Sequence, residues 1–196
     1  LLGADSGFSS DIAQWGGACI MQINRLRTTC YRHMHSLRIP GVSVLFFTGT
    51  CGIGEWLAGA HLYSGNVVNE CESYHAGWKR IYDAEPPRGD DDGTWLFGYS
   101  LGGALATIHA AELLRRGKRV AGLYTFGSPR VCDGATARMI DRLVPNNYRI
   151  SNKNDPVVRS PPEFAGYVHT GREIAVSFFD VLCNHTLVNY IKHLPR

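Results

Sequence analysis

No stretch of this sequence stays apolar for long enough to cross a bilayer. The longest strongly apolar run, Val42–Phe47, contains Ser43 and falls far short of the ~20 residues a spanning helix needs. Charge is sparse and nearly balanced, with 20 Lys+Arg against 17 Asp+Glu and a net +3. No basic stripe is present, so nucleic acid is not expected as a partner. Cys-x-x-Cys and His-Glu-x-x-His are both missing, which leaves a zinc site without local support; no metal and no cofactor is expected. No basic-plus-apolar signal segment is visible, yet the sequence opens on Leu1 rather than Met. An upstream segment is therefore expected to have been removed or left out, and secretion is expected over a cytoplasmic location.

What is present suits a globular domain. Hydrophobic residues make up 44% and aromatics 11% of 196 residues, a balance that favours collapse over disorder. That length supplies a core for one domain spanning 1–196, and a monomer is expected. The six cysteines, Cys19, Cys30, Cys51, Cys71, Cys132 and Cys183, allow fifteen full pairings among which spacing cannot choose. The plainest reading makes several of them small buried hydrophobes.

Strands and helices alternate along the chain. Ile12, Trp15, Cys19, Ile23 and Leu26 recur at three- and four-residue steps, so residues 10–36 are expected to be mostly helical. Val42–Phe47 reads as a strand, 75–84 as a helix, and 85–93, with Pro86, Pro87 and the acidic Asp90–Asp92, as a solvated loop. The apolar run 94–97 leads through glycines into a long Ala- and Leu-rich helix that Gly117 ends. Strands are expected at 120–126 and 148–151, extended chain at 167–168 and 174–176, and helices at 135–143 and 185–193. Such alternation implies an α/β fold, with a mainly parallel sheet covered by helices on both faces.

Most of the chemical content lies in Gly98-Tyr99-Ser100-Leu101-Gly102-Gly103. A Gly-x-Ser-x-Gly match is weak alone, but here an apolar strand precedes it and a helix follows. A strand that turns directly into a helix forces the residue between them into a strained conformation, and only small neighbours permit the turn. Ser100 is thereby lifted above the sheet edge at a helix N-terminus, with the Leu101 N–H beside it as an oxyanion donor. A serine hydroxyl needs a base and an orienting carboxylate to become a nucleophile. On strand–turn–helix elbows these follow in the order Asp or Glu, then His.

Asp155 lies just past the 148–151 strand, at the sheet edge where active-site groups gather. Asp133 and Asp141 border or lie in a helix and read as solvated, which leaves Asp180 as the alternative. His185 sits at a loop-to-helix junction from which its ring can swing back to the sheet. His169, in an expected strand beside Tyr167 and Thr170, is the alternative base and reads better as a hydrogen-bonded structural residue. His193 is close to the C-terminus, and His109 lies within the long helix.

At these residues the chain resembles the class 3, fungal-type lipases of the α/β-hydrolase superfamily. The resemblance runs from about residue 42 onward. It rests on Phe47-Thr48-Gly49-Thr50, on the Ser100 elbow, on Thr125-Phe126-Gly127-Ser128-Pro129-Arg130-Val131, on Asn154-Asp155-Pro156-Val157, on Tyr167–Glu173 and on the His185 helix. It implies a Ser100, Asp155, His185 triad, an oxyanion hole from Leu101 and Thr50, and a structural His169. Cys132 stands where the family usually has glycine, and Thr136 where an aromatic is common. In relatives the stretch corresponding to 51–65 forms an amphipathic lid; here Trp56 and Leu57 are expected to cover the site in water and turn outward at a lipid surface, the alternative for this short, glycine-rich stretch being an ordinary helix packed on the core. The expected function is hydrolysis of carboxylic esters through an acyl-enzyme, acylglycerols before soluble or aryl (feruloyl-type) esters, with no cofactor. The remaining alternatives are a non-catalytic lipase-like binding module and, after it, a protease or thioesterase using the same triad, since fold and triad alone do not fix the acyl leaving group.

Overall fold

The computed structural model describes residues 34–39, 42–49, 74–84, 86–87, 92–180 and 184–195. Six strands, β1 (Met34–Ile39), β2 (Val42–Phe47), β3 (Thr94–Tyr99), β4 (Val120–Phe126), β5 (Asn146–Asn152) and β6 (Arg172–Val176), lie side by side in chain order in one sheet. β1 runs antiparallel to β2, and every later pair is parallel. The helices among the described residues are α1 (Ala76–Ala84), α2 (Leu101–Arg115), α3 (Gly134–Leu143) and α4 (Leu187–Lys192), with 3₁₀ turns at Val157–Arg159 and Glu163–Ala165.

Each parallel strand sits beside its predecessor, so crossovers of the usual right hand deliver their helices to one face. α2 packs on β2, β3 and β4, with α1 and α3 against it. Between them lies the larger core, including Leu45, Phe47, Leu96, Ile108, Leu123 and Ile140. α2 is buried nearly all round from Leu101 to Ala111, as expected of a helix rich in Ala and Leu on every side. Gly117, at φ 72°, closes the chain after it.

The opposite face carries an aromatic ladder. Phe46, Phe97, Tyr124 and Tyr148 are cross-strand partners in register, their rings stacked 5.2–5.4 Å apart. The Arg172 guanidinium caps the row over Tyr148. Nearer the C-terminal edge of this face, α4 buries Tyr190 against Phe126, Ile150, Val176 and Phe178. Helices thus cover both faces, though unequally. The parallel pairing of β2 to β6 brings Gly49, Ser100, Asp155 and the approach to His185 out at the same edge of the sheet.

Two expectations require correction. Met34–Ser36 belong to β1 and not to a helix: Met34 pairs with Phe47 and Ser36 with Leu45, and sheet pairing outweighs a local helical spacing. The rest of the 10–36 reading lies outside the described residues. His169 is not in a strand. Only Val168 bridges, singly, to Cys132, and the strand begins at Arg172.

Candidate active site

Ser100 has φ 58° and ψ −126°, and among the described residues it alone combines a side chain with positive φ. Such strain persists only where surrounding packing enforces it, and here the packing is backbone on backbone. A Cβ on Gly102 would lie 2.1 Å from the Phe47 carbonyl oxygen, and one on Gly98 would lie 2.3 Å from that of Gly102. The first turn of α2 therefore closes against the ends of β2 and β3 only because those positions carry no side chain. Ser100 is the N-cap of α2, yet its hydroxyl makes no capping bond, contrary to the usual use of an N-cap serine. It points instead to His185.

The His185 Nε2 lies 2.7 Å from Ser100 Oγ, and its Nδ1 lies 2.5 Å from Asp155 Oδ2. A carboxylate can only accept, so Nδ1 carries the proton and Nε2 offers its lone pair to the serine hydroxyl. Asp155 is 0% exposed, and Ser100 and His185 are nearly as deeply buried. The carboxylate is nevertheless well provided for. The Val157 N–H donates to Oδ1 at 2.8 Å and the Tyr190 hydroxyl to Oδ2 at 2.6 Å, which offsets the cost of holding a charge out of water. Tyr190 in turn accepts from the Asn152 N–H at 3.2 Å. Burial, together with the neighbouring Asp155 charge, pushes the Tyr190 hydroxyl well above the usual tyrosine range, so it remains a donor.

One hydrogen bond anchors the His185 backbone and two anchor the preceding Asn184. The Tyr99 hydroxyl donates to its carbonyl at 2.8 Å, the Asn152 side chain donates to the Asn184 carbonyl, and the Asn184 side chain accepts from the Asp180 N–H. Gly127 floors the site at φ 56°: a Cβ there would come within 3.1 Å of both Asp155 Oδ2 and the His185 ring.

The sequence-derived alternatives are engaged elsewhere. Asp133 N-caps α3 through the Thr136 N–H. Asp141 accepts from Asn147, Thr170 and the Gly171 N–H with one oxygen, so it braces the turn into β6 and is not merely solvated. Asp180 accepts from Asn189. The His169 Nε2–H donates to the Val158 carbonyl at 2.8 Å, and burial beside Arg149 pushes its imidazole down to about 4, as suits a neutral structural residue. His109 is buried against Tyr82, and His193 bonds the Asn189 carbonyl beyond α4. Thr50, Trp56 and Leu57 lie outside the described residues, as do all the cysteines except Cys132, whose buried thiol is pushed up to about 12. Among the described residues no cluster of three or more His, Cys, Asp or Glu could hold a metal, and no helix is long and apolar enough to cross a membrane. Sequence reasoning passed over Tyr99 and Tyr190. The signal for Tyr99 was its place beside the serine, whereas Tyr190 becomes visible only once α4 is docked.

A mainly parallel sheet with helices on both faces and a strained serine on a strand–helix elbow defines the α/β-hydrolase fold. The lipase from Rhizopus microsporus var. chinensis superposes with a TM-score of 0.62 over 88% of this chain and 75% of its own, at 22% identity. The mono- and diacylglycerol lipase from Aspergillus oryzae gives 0.56 over 79% of this chain and 59% of its own, at 25% identity. The model of the class 3 lipase family matches residues 44–165, well over half of the chain, and the chain belongs to that family. Its curated relatives include secreted mono- and diacylglycerol lipase A of Penicillium camembertii, 32% identical over 145 residues, covering 66% of this chain and 46% of that protein. Secreted mono- and diacylglycerol lipase 1 of Fusarium solani is 45% identical over 76 residues, covering 39% of this chain and 22% of that protein. The chain thus spans less than half the length of either. The family match ends before His185, whose place rests on the geometry.

Proposed function

We propose that this chain hydrolyses carboxylic esters, acylglycerols first among them, with Ser100 as nucleophile, His185 as general base and acid, and Asp155 as the carboxylate that orients the imidazole. One observation carries the reading: the unbroken chain of contacts from Ser100 Oγ through both His185 nitrogens to the buried Asp155. Ser100 Oγ attacks the ester carbonyl while Nε2 takes its proton, and the imidazolium so formed is stabilised by Asp155. The tetrahedral oxyanion faces the N-terminus of α2, where the Leu101 N–H donates to it; Thr50, on the family pattern, supplies the second donor. His185 then returns the proton to the leaving alcohol oxygen, leaving an acyl-serine. Water, deprotonated by the same nitrogen, releases the acid and restores the hydroxyl.

Secretion, a lipid–water interface as the place of action, and Trp56 and Leu57 as part of a lid extend this reading. The curated relatives named as secreted mono- and diacylglycerol lipases support the first. The test is hydrolysis of mono-, di- and tri-acylglycerols beside p-nitrophenyl acetate to palmitate. Acylglycerol turnover with rates rising towards longer acyl chains is the expected result. Activity confined to acetate and butyrate would replace the lipase reading with a soluble-ester esterase, and no turnover of any ester would replace it with a binding module.

A further inference from the structure

Tyr99 contacts His185 and adjoins Ser100 in the chain. It precedes Ser100 and lies on the ladder face of β3, where it packs on the cluster of Phe126, Ile150, Val176, Phe178 and Tyr190. Its ring is stacked on the His185 imidazole, with centroids 5.1 Å apart and planes 25° apart, and its hydroxyl bonds the His185 carbonyl at 2.8 Å. The chain leaving β2 passes against the same residue: a Cβ on Gly49 would lie 3.2 Å from the Tyr99 ring and 3.0 Å from Ser100 Cβ.

We propose that Tyr99 is a positioning residue that registers the general base on the nucleophile, its ring fixing the plane of the His185 imidazole and its hydroxyl fixing the backbone that carries it. The proposal rests on the ester-hydrolase reading above. The bond from Nδ1 to Asp155 holds one atom of the imidazole but leaves the ring free to tilt about that bond; a stacked aromatic face removes the tilt. Because the same turn carries Tyr99 and Ser100, a shift of one moves the other, and the Oγ to Nε2 distance is kept. The ring does further work once the proton has moved. An imidazolium is drawn to the electron-rich face of an aromatic ring more strongly than neutral imidazole is, so the contact strengthens as the reaction proceeds and acts on kcat more than on KM.

The test compares Tyr99→Phe, Tyr99→Leu and Ser100→Ala in the full chain, with p-nitrophenyl butyrate kinetics from pH 5 to 9 and urea unfolding to confirm the fold. Tyr99→Phe keeps the ring and loses the tether, and should lower kcat about fivefold, the worth of one hydrogen bond, with KM unchanged. Tyr99→Leu should lower kcat about 100-fold, as displaced catalytic groups do. It should also move the acid limb of the kcat profile to lower pH, because the protonated ring loses its aromatic face; Tyr99→Phe should leave that limb in place. If Tyr99→Leu fails to fold, the kcat and KM of Tyr99→Phe decide. Wild-type kcat in the Tyr99 variants alongside an inactive Ser100→Ala overturns the proposal alone, as does a loss in Tyr99→Leu with an unmoved acid limb. An active Ser100→Ala overturns the reading beneath it.

Discussion

Replacing Tyr190 by Phe removes one oxygen atom from the floor of the site and leaves its packing intact. That oxygen makes two buried contacts, donating to Asp155 Oδ2 at 2.6 Å and accepting from the Asn152 N–H at 3.2 Å. A hydrogen bond to a charged group contributes about 1.5–3 kcal/mol, and a stranded buried N–H costs about 1–3 kcal/mol. The second contact is long, so the smaller end applies to it, and Tyr190→Phe should destabilise the fold by about 3 kcal/mol. Catalysis should suffer less. Asp155 keeps the Val157 N–H on one oxygen and His185 on the other, so kcat should fall about tenfold, roughly 1.4 kcal/mol of transition-state stabilisation. Burial and the Asp155 charge hold the Tyr190 hydroxyl protonated, hence both losses should be the same at pH 6 and pH 9. Urea unfolding followed by tryptophan fluorescence measures the first, with a lower midpoint at unchanged m-value, and ester kinetics measure the second. A midpoint within about 0.5 kcal/mol of wild type, together with unchanged kcat, would show that the hydroxyl does not support Asp155.

Two further outcomes follow from the packing and the charges. Gly102→Ala places a methyl 2.1 Å from the Phe47 carbonyl oxygen, where only backbone can yield. It should cost more than about 4 kcal/mol and abolish activity, while Gly117→Ala, at positive φ in open space, should cost only about 1–2 kcal/mol when unfolding midpoints are compared. His169 is neutral because burial, Arg149 and Arg130 oppose its proton more than the Val158 carbonyl and Glu173 favour it. Its folded value of about 4 lies below the ordinary histidine value of 6.5, so an unfolded chain takes up the proton first and stability is lost as pH falls from about 6.5 to 4. That loss approaches ~3 kcal/mol at its acid limit. His169→Gln should flatten the corresponding slope in urea midpoints measured from pH 7 to 4; an unaltered slope would assign the acid sensitivity elsewhere, His75 being the other buried histidine held low by desolvation.

The elbow was legible because its requirements are local. Strand, small residues, serine and helix follow one another within a few positions, and the steric reason for Gly98 and Gly102 can be stated before any coordinates exist. Asp155 and His185 were legible by position at a sheet edge and a helix start, once chain order limited the choice. Among the described residues from 42 onward, element boundaries were close to those observed, since alternating burial and end-capping glycines are read over short windows. Met34–Ser36 was misread because the pairing of Met34 with Phe47 joins segments whose register no single window contains. Tyr190 was overlooked for a similar reason: its hydroxyl meets Asp155 only through the docking of α4 on β5 and β6. Asp141 looked solvated because its three donors come from residues 147, 170 and 171, beyond any local pattern.

Ester hydrolysis through Ser100 requires that this hydroxyl become acylated, and covalent capture reads out which residue reacts. The full chain would be treated with a fluorophosphonate at neutral pH, digested, and its labelled peptide sequenced by mass spectrometry, with Asp155→Asn treated in parallel. A single adduct on the peptide holding Gly98-Tyr99-Ser100-Leu101-Gly102, placed on Ser100 and formed far more slowly in the Asp155 variant, is the predicted result. An adduct on another residue would place the nucleophile elsewhere, and labelling of Ser100 at the wild-type rate without the Asp155 carboxylate would show that Asp155 does not serve it.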